Sequence, residues 1–213
     1  MTTMRNAQMN RKLHARAKAR RAMGIDDDQP LIVSYWGSLG AREMNKKIAQ
    51  FFACEAADGL PFRHIHACGS FGWRWMPEYV KELGVDLAAH PRIDMREYIY
   101  DMPQVLAAAD LIVCRAGAAT IAEVCASGTP CIMVPSPNVT GNHQEKNARV
   151  LERSGAAAVV READCDGKSL YETAKAILSD AGRMRAMRAS ARDMAVVDAA
   201  ERIYQTALDL AKH

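Results

Sequence analysis

The sequence predicts an α/β fold built on a Rossmann-like, doubly wound parallel sheet, and three observations predict it. Short apolar runs alternate along the chain with longer helical patterns. The runs are nearly continuous in Val, Ile, Leu, Ala and Cys, as in strands covered on both faces. The turns between them are short and contain glycine. At 213 residues, 49% hydrophobic and 25% charged, the chain has the composition of a folded globule with a sizeable core. A disordered chain, a collagen and a disulfide-stapled miniprotein are excluded.

The elements follow in order. Between Met1 and Ile25 stand seven Lys/Arg and no acid. The Ala/Arg/Lys segment from Leu13 to Met23 reads as a solvated helix, with a surface that approaches anionic lipid as the sharper alternative. Residues 1–24 are expected to be a basic linker and helix. Gly24 to Pro30 stops that helix and turns the chain. Strands are expected at Leu31–Tyr35, Phe62–Ala67, Arg92–Asp94, Leu111–Cys114, Cys131–Val134 and Ala157–Val160. Helices are expected at Glu43–Ala57, Pro77–Leu83, Pro103–Ala109, Thr120–Ala126 and His143–Arg153. Residues 25–163 thus form the doubly wound domain, and residues 164–213 are helices expected to pack on it.

Composition limits the partners. A net charge of +3 with 6% aromatic residues argues against nucleic acid as a ligand. No apolar run approaches the roughly 20 residues that span a bilayer, and the basic start does not lead into an apolar signal segment. The six cysteines contain no C-x-x-C pair. They read as free thiols in the cytoplasm.

In such a sheet, ligands bind beyond the carboxyl ends of the strands, at the switch point. Three loops lie there. The first, Trp36-Gly37-Ser38-Leu39-Gly40-Ala41, precedes a helix. Its glycines let backbone approach a phosphate, and Ser38 adds a hydroxyl. A tight structural turn is the other reading. The second, Arg115-Ala116-Gly117-Ala118-Ala119-Thr120, is built of small residues, and Thr120 suits a helix start. Glu123 lies one turn on, where a carboxylate can accept two hydrogen bonds from a vicinal diol or simply complement the helix dipole. The third, Pro135 to Asn147, carries Gln144 and Asn147 at i, i+3, and amides suit sugar hydroxyls. A plain surface loop is the alternative.

Other signals are discounted. Asp164-Cys165-Asp166 reads as a turn and helix cap, not a metal motif. His64 and His66 share one side of a strand but lack a third ligand nearby, so a core or surface pair is favoured over zinc. Trp73 and Trp75 read as packing or surface-contact residues. No nucleophile motif appears.

Taken in order, Gly37-Ser38-Leu39-Gly40-Ala41, Ile99-Tyr100-Asp101-Met102, Ala109-Asp110, Cys114-Arg115-Ala116-Gly117-Ala118, Glu123, Pro130, Pro135 and Asn142 to Ala148 resemble the MurG family. These are the peptidoglycan N-acetylglucosaminyltransferases that convert lipid I to lipid II. The resemblance runs from about Gly24 to Val160 and covers only the family's C-terminal half. It implies the donor-binding, Rossmann-like half of a two-domain GT-B glycosyltransferase. It implies UDP-N-acetylglucosamine as donor and the lipid I acceptor as a partner of the whole enzyme. No cofactor and no metal are implied. The general base and the membrane-facing apolar patch are expected in an N-terminal acceptor domain, so no catalytic residue is assigned here. The whole enzyme is expected to be cytoplasmic and peripheral on the inner face of the plasma membrane.

By the same resemblance, Ser38 with the backbone of Gly37 and Gly40 would contact the diphosphate. The main chain of Ile99 would read the uracil edge. Ala118, Ala119 and Thr120 would lie near the phosphates and sugar, Glu123 would hold the ribose hydroxyls, and Gln144 and Asn147 would bind the hexose. The sequence departs from the family in two places. Trp36 stands where the family has its first glycine, and the family's phosphate-binding arginine has no clear counterpart among Met1–Lys12. Two alternatives remain open, a subunit of a split glycosyltransferase and a nucleotide-sugar-binding module without activity; a UDP-GlcNAc epimerase of the same architecture is disfavoured because Arg115-Ala116-Gly117 does not fit the acidic, Gly-rich motif expected of it.

Overall fold

A computed structural model describes residues 15–25, 28–59 and 61–211. Six strands lie in one sheet: β1 (Leu31–Tyr35), β2 (Arg63–Ala67), β3 (Ile93–Arg96), β4 (Leu111–Cys114), β5 (Cys131–Met133) and β6 (Ala157–Val159). Their spatial order is β3-β2-β1-β4-β5-β6, and every pair is parallel. The doubly wound parallel sheet read from the sequence is the one present. The chain winds outward from β1 through β2 and β3, then crosses back to β4. Loops leaving β1 and β4 therefore diverge and open a crevice at the carboxyl ends of these two strands.

Residues 15–22 form helix α1; residues 1–14 of the expected basic segment, with the search for a phosphate-binding arginine there, lie outside the described residues. The other helices are α2 (Arg42–Ala57), α3 (Gly69–Gly72), α4 (Met76–Glu82), α5 (Met102–Ala108), α6 (Ala118–Ser127), α7 (His143–Arg153), α8 (Gly167–Leu178), α9 (Ala181–Asp193) and α10 (Ala199–Ala211).

Alternate side chains of a strand point to opposite faces, and both faces are buried here. Leu31, Val33 and Tyr35 join one core cluster with residues of α5, α6 and α7, whereas Ile32 and Trp36 join another with residues of α2, α4 and α8. That two-sided burial is why β1 reads as an apolar run broken only by the buried Ser34. Helix α9 places Met187 in one cluster and Ala191 in the other. Helix α8 packs so closely on α2 that a Cβ on Gly167 would stand 2.4 Å from the Lys47 carbonyl oxygen. Asp166 caps α8 in a reciprocal capping box with Ser169, as the turn-and-cap reading of that segment expected. Helix α10 leaves all of its residues exposed. The six cysteines are free thiols, and no helix among the described residues is long and apolar enough to cross a membrane.

At the amino end of the sheet, Asp110 gathers three elements. Its carboxylate accepts from the Leu31 N–H at 3.0 Å, pairs with Arg16 at 2.7 Å and Arg20 at 3.3 Å on α1, and pairs with Arg188 on α9 at 3.0 Å. This node fastens the outer helices at the end opposite the loops described next.

Candidate functional site

The loop after β1 is shaped by glycine. Gly37 and Gly40 both take left-handed φ, +85° and +78°, which only glycine adopts readily. The Gly40 N–H donates to the Gly37 carbonyl at 3.2 Å, and the Ser70 N–H donates to the Ser38 carbonyl at 3.2 Å, so the loop is sewn to the start of α3. The Ser38 residue itself is exposed. Helix α2 begins behind Ala41, whose backbone is extended and whose side chain supplies no cap. The first N–H groups of a 16-residue helix are thus left to solvent or a ligand, at the positive end of its dipole.

The loop after β4 repeats the arrangement. Gly117 is the extended N-cap residue of α6 and offers no capping side chain. Ala118 and Ala119 are exposed and Thr120 is half-buried. The helix begins at Ala118, two residues before the expected start at Thr120, because Gly117 rather than the threonine takes the cap conformation. Glu123 consequently sits in the second turn. It is exposed and lines a groove of about 400 Å³ with Met102 and Leu106 of α5 and Ala15 of α1. Ile99, in the connection between β3 and α5, is 2% exposed with its side chain in the core. Its side chain is not available to a ligand.

The third loop is drawn onto the second. Gly141 and Asn142 are consecutive left-handed residues, φ +62° and +49°, and they aim α7 back at β4. The Gln144 Oε1 accepts from the Ala116 N–H at 3.3 Å and from the Ser136 N–H at 3.0 Å. Asn147 Nδ2 donates to the Ala116 carbonyl at 3.2 Å. Each amide spends one end on the scaffold. The Gln144 amino group, a donor, and the Asn147 carbonyl oxygen, an acceptor, remain without a partner among the described residues.

Arg115 locks the loops to one another. Its guanidinium donates to the Val134 carbonyl at 3.0 Å, pairs with Glu162 at 2.6 Å and lies 5.7 Å from the Trp36 ring centroid, a cation–π distance. Trp36 is only 5% exposed. It belongs to the core beneath the loops and does not form an exposed aromatic wall. Lys47 of α2 reinforces the same corner by donating to the Glu162 carbonyl. Sequence reasoning gave Arg115, Asn45 and Gly69 no role. The signals were an asparagine inside a helix, where asparagine is a poor former, and a glycine two residues after β2. Burial pushes the Cys68 thiol up to about 11 and raises Cys114 and Cys131 further, so these thiols stay protonated at neutral pH.

Two uncapped helix N-termini flank the crevice, glycine loops admit close approach, and amides and a carboxylate stand at its sides. The family model described as glycosyltransferase family 28 C-terminal domain matches residues 32–203. The chain belongs to this family. The family 28 match starts within β1 and ends within α10. A transferase of Acetivibrio thermocellus named UDP-N-acetylglucosamine–N-acetylmuramyl-(pentapeptide) pyrophosphoryl-undecaprenol N-acetylglucosamine transferase is 39% identical over 93% of this chain and 52% of its own length. One of the same name from Salinibacter ruber is 42% identical over 91% of this chain and 50% of its own. The crystal structure of Acinetobacter baumannii MurG superposes with a TM-score of 0.71 at 27% identity, covering 90% of this chain and 52% of that one. The family 28 chain spans about half the length of the curated relatives it matches.

Proposed function

We propose that this chain is the donor-binding half of an inverting N-acetylglucosaminyltransferase. It would hold UDP-N-acetylglucosamine while a second domain presents lipid I, the undecaprenyl-diphospho-MurNAc-pentapeptide, whose hydroxyl attacks the anomeric carbon. The observation that carries this reading is the pair of uncapped helix starts, α2 and α6, on either side of the crevice. Helices α4, α5 and α7 also lack side-chain caps, and α8 and α9 are capped by Asp166 and Asp180; what sets α2 and α6 apart is that each follows a glycine-containing loop at the switch point of the sheet. The open N–H groups sit where a diphosphate fits and where the charge of departing UDP would develop.

On this reading Gly37, Ser38 and Gly40, with the start of α6 at Ala118, Ala119 and Thr120, bind the diphosphate. The Ile99 main chain meets the uracil. Glu123 accepts from the ribose diol, and the groove it lines with Met102 takes the apolar side of the nucleoside. The partnerless donor of Gln144 and acceptor of Asn147 meet the hexose hydroxyls. Residues 25–163 form the donor domain and residues 164–213 its helical extension. Because the acceptor is a lipid, the complete enzyme works at a membrane surface, and the resemblance to the MurG family makes that the cytoplasmic face of the plasma membrane. The names of the relatives support the donor and acceptor, and their length supports a second domain.

Calorimetric titration of this chain with UDP-N-acetylglucosamine, against UDP-glucose and UDP-GalNAc, tests the assignment. Preference for the first, weakened in Glu123→Ala and Gln144→Ala, is expected. Equal affinity for all three sugars, or unchanged affinity in both variants, removes the assigned roles.

A further inference from the structure

Beneath the loop after β1 runs a chain of buried polar groups that the donor reading does not use. Glu55 and Asn45 belong to α2, His64 and His66 to β2, and Ser34 to β1. Each is at most 1% exposed. His64 Nδ1 lies 3.1 Å from Glu55 Oε2. Ser34 Oγ lies 2.7 Å from His64 Nε2 and 2.7 Å from His66 Nδ1. His66 Nε2 lies 3.2 Å from Asn45 Oδ1, and Asn45 Nδ2 donates to the Cys68 carbonyl at 2.7 Å. Parallel pairing sets Ser34 opposite His66, and period-two geometry puts His64 on the same face. Edge-on rings of Phe51 and Phe52 seal the pair of histidines.

The hydrogen bonds have one consistent direction. A carbonyl only accepts, so Cys68 fixes the Asn45 amide with its NH₂ toward the rim and its oxygen toward His66. His66 Nε2 must then carry a proton. Burial, with His64 beside it, pushes the His66 imidazole down to about 3, so the ring is neutral and, with its proton on Nε2, its bare Nδ1 accepts from the Ser34 hydroxyl at 2.7 Å and not from the Ser34 carbonyl, which lies 3.2 Å from the same nitrogen but can only accept. Ser34 Oγ in turn accepts from His64 Nε2, and His64 Nδ1 faces Glu55 Oε2.

The chain ends at the loop. The Cys68 carbonyl is the group against which Gly40 packs, and the Asn45 amide lies 2.3 Å from where a Cβ on Gly72 would stand and 3.3 Å from one on Gly40. Well-packed apolar residues of similar volume often replace a buried polar network with little or no loss of stability. What they would not do is hold one carbonyl at one height beneath a backbone loop.

We propose that Ser34 and His66 are positioning residues that, through Asn45 and the Cys68 carbonyl, set the height and orientation of loop 36–41 and hence of its diphosphate-facing N–H groups. The link to diphosphate rests on the donor reading above; the link to the loop does not.

The test compares Ser34→Ala and His66→Phe, with Ser34→Thr as the variant that keeps the hydroxyl and Asp166→Ala as a control that weakens a distant helix cap. Native-state amide hydrogen exchange is read at Gly40 and Ser70, whose N–H groups bond within and across the loop, and at Ile112 in the sheet. UDP affinity is measured on the same proteins. In Ser34→Ala and His66→Phe, exchange at Gly40 and Ser70 is expected to rise about ten-fold relative to Ile112. UDP is expected to bind about ten-fold more weakly. Ser34→Thr should recover both, and Asp166→Ala should move neither. Exchange that rises equally at all three amides, tracking global stability, overturns the proposal. Selective loosening of the loop in a protein whose unaltered form does not bind UDP keeps the positioning role and overturns the donor reading.

Discussion

The carbonyl oxygen of Cys68 occupies the volume a side chain at Gly40 would need, 2.0 Å from where its Cβ would stand. The crowding is mutual: a Cβ on Gly69 would lie 2.1 Å from the Gly40 nitrogen. The loops leaving β1 and β2 therefore interlock backbone to backbone, and both glycines take left-handed φ.

Gly40→Ala should therefore be severe. Steric conflict with fixed backbone adds to the conformational cost, and a loss of about 2–4 kcal/mol is expected. UDP affinity should fall beyond detection. Gly37→Ala shares the left-handed φ but meets nothing within 4 Å, so it should cost only about 1 kcal/mol. Urea unfolding of the two variants side by side checks the contrast; equal losses would mean the loops do not interlock.

Gln144 does two jobs with two atoms. Its oxygen fastens Ala116 and Ser136, and its amino group, without a partner among the described residues, is the atom the proposed donor site would use. Gln144→Glu keeps the acceptor, so thermal stability should hold, while UDP-N-acetylglucosamine binding should weaken about ten-fold or more through the lost donor and added negative charge. Gln144→Ala should lower stability by about 1–2 kcal/mol as well. Calorimetry and thermal melts separate the two effects, and a donor affinity untouched in Gln144→Glu would exclude the amino group from the site.

Asp110 carries the amino end of the sheet. Asp110→Ala removes the shared carboxylate partner of Arg20, 5% exposed, and of Arg188, whose charge burial already disfavours. A loss of about 3–5 kcal/mol is expected, as for removal of one partner of a buried pair. Donor binding at the opposite end of the sheet should be intact in the fraction that folds, as measured by UDP titration at low temperature.

His66 makes stability depend on acid. Its folded value, about 3, lies below the ordinary 6.5. Between those values the unfolded chain binds a proton that the native chain refuses. Stability is therefore complete above about pH 7 and falls as pH drops through this window, by at most about 1.4 kcal/mol per pH unit for this one group. The lowered carboxyl of Asp166, held by the Ser169 backbone N–H and hydroxyl, acts in the same direction at lower pH. Urea midpoints from pH 7.5 to 4.5 should slope less steeply in His66→Phe; parallel slopes would show that His66 does not resist protonation.

Much of this arrangement was legible in the chain. β1 and β4 were bounded to the residue because both faces are covered, and a proline or an aspartate before them and a glycine loop or an arginine after them mark their ends. β3 was not: it spans Ile93–Arg96 rather than Arg92–Asp94, because an edge strand carries the ion pair between Asp94 and Arg96 where an apolar signal would be. α6 begins early because a glycine cap leaves no side-chain signature. α3 was missed altogether, since Gly69–Gly72 reads as a turn.

The sequence by itself determined the alternation of strands and helices, and so the parallel sheet, the switch point and the loops that face it. Periodicity and turn chemistry are local, and each is written within a few residues. The tertiary structure alone decided that Gln144 reaches Ala116, that Trp36 lies beneath Arg115 and that Asn45 holds the Cys68 carbonyl against Gly40. Those contacts join residues distant along the chain, and their geometry exists only once the strands are paired and the helices are packed on both faces.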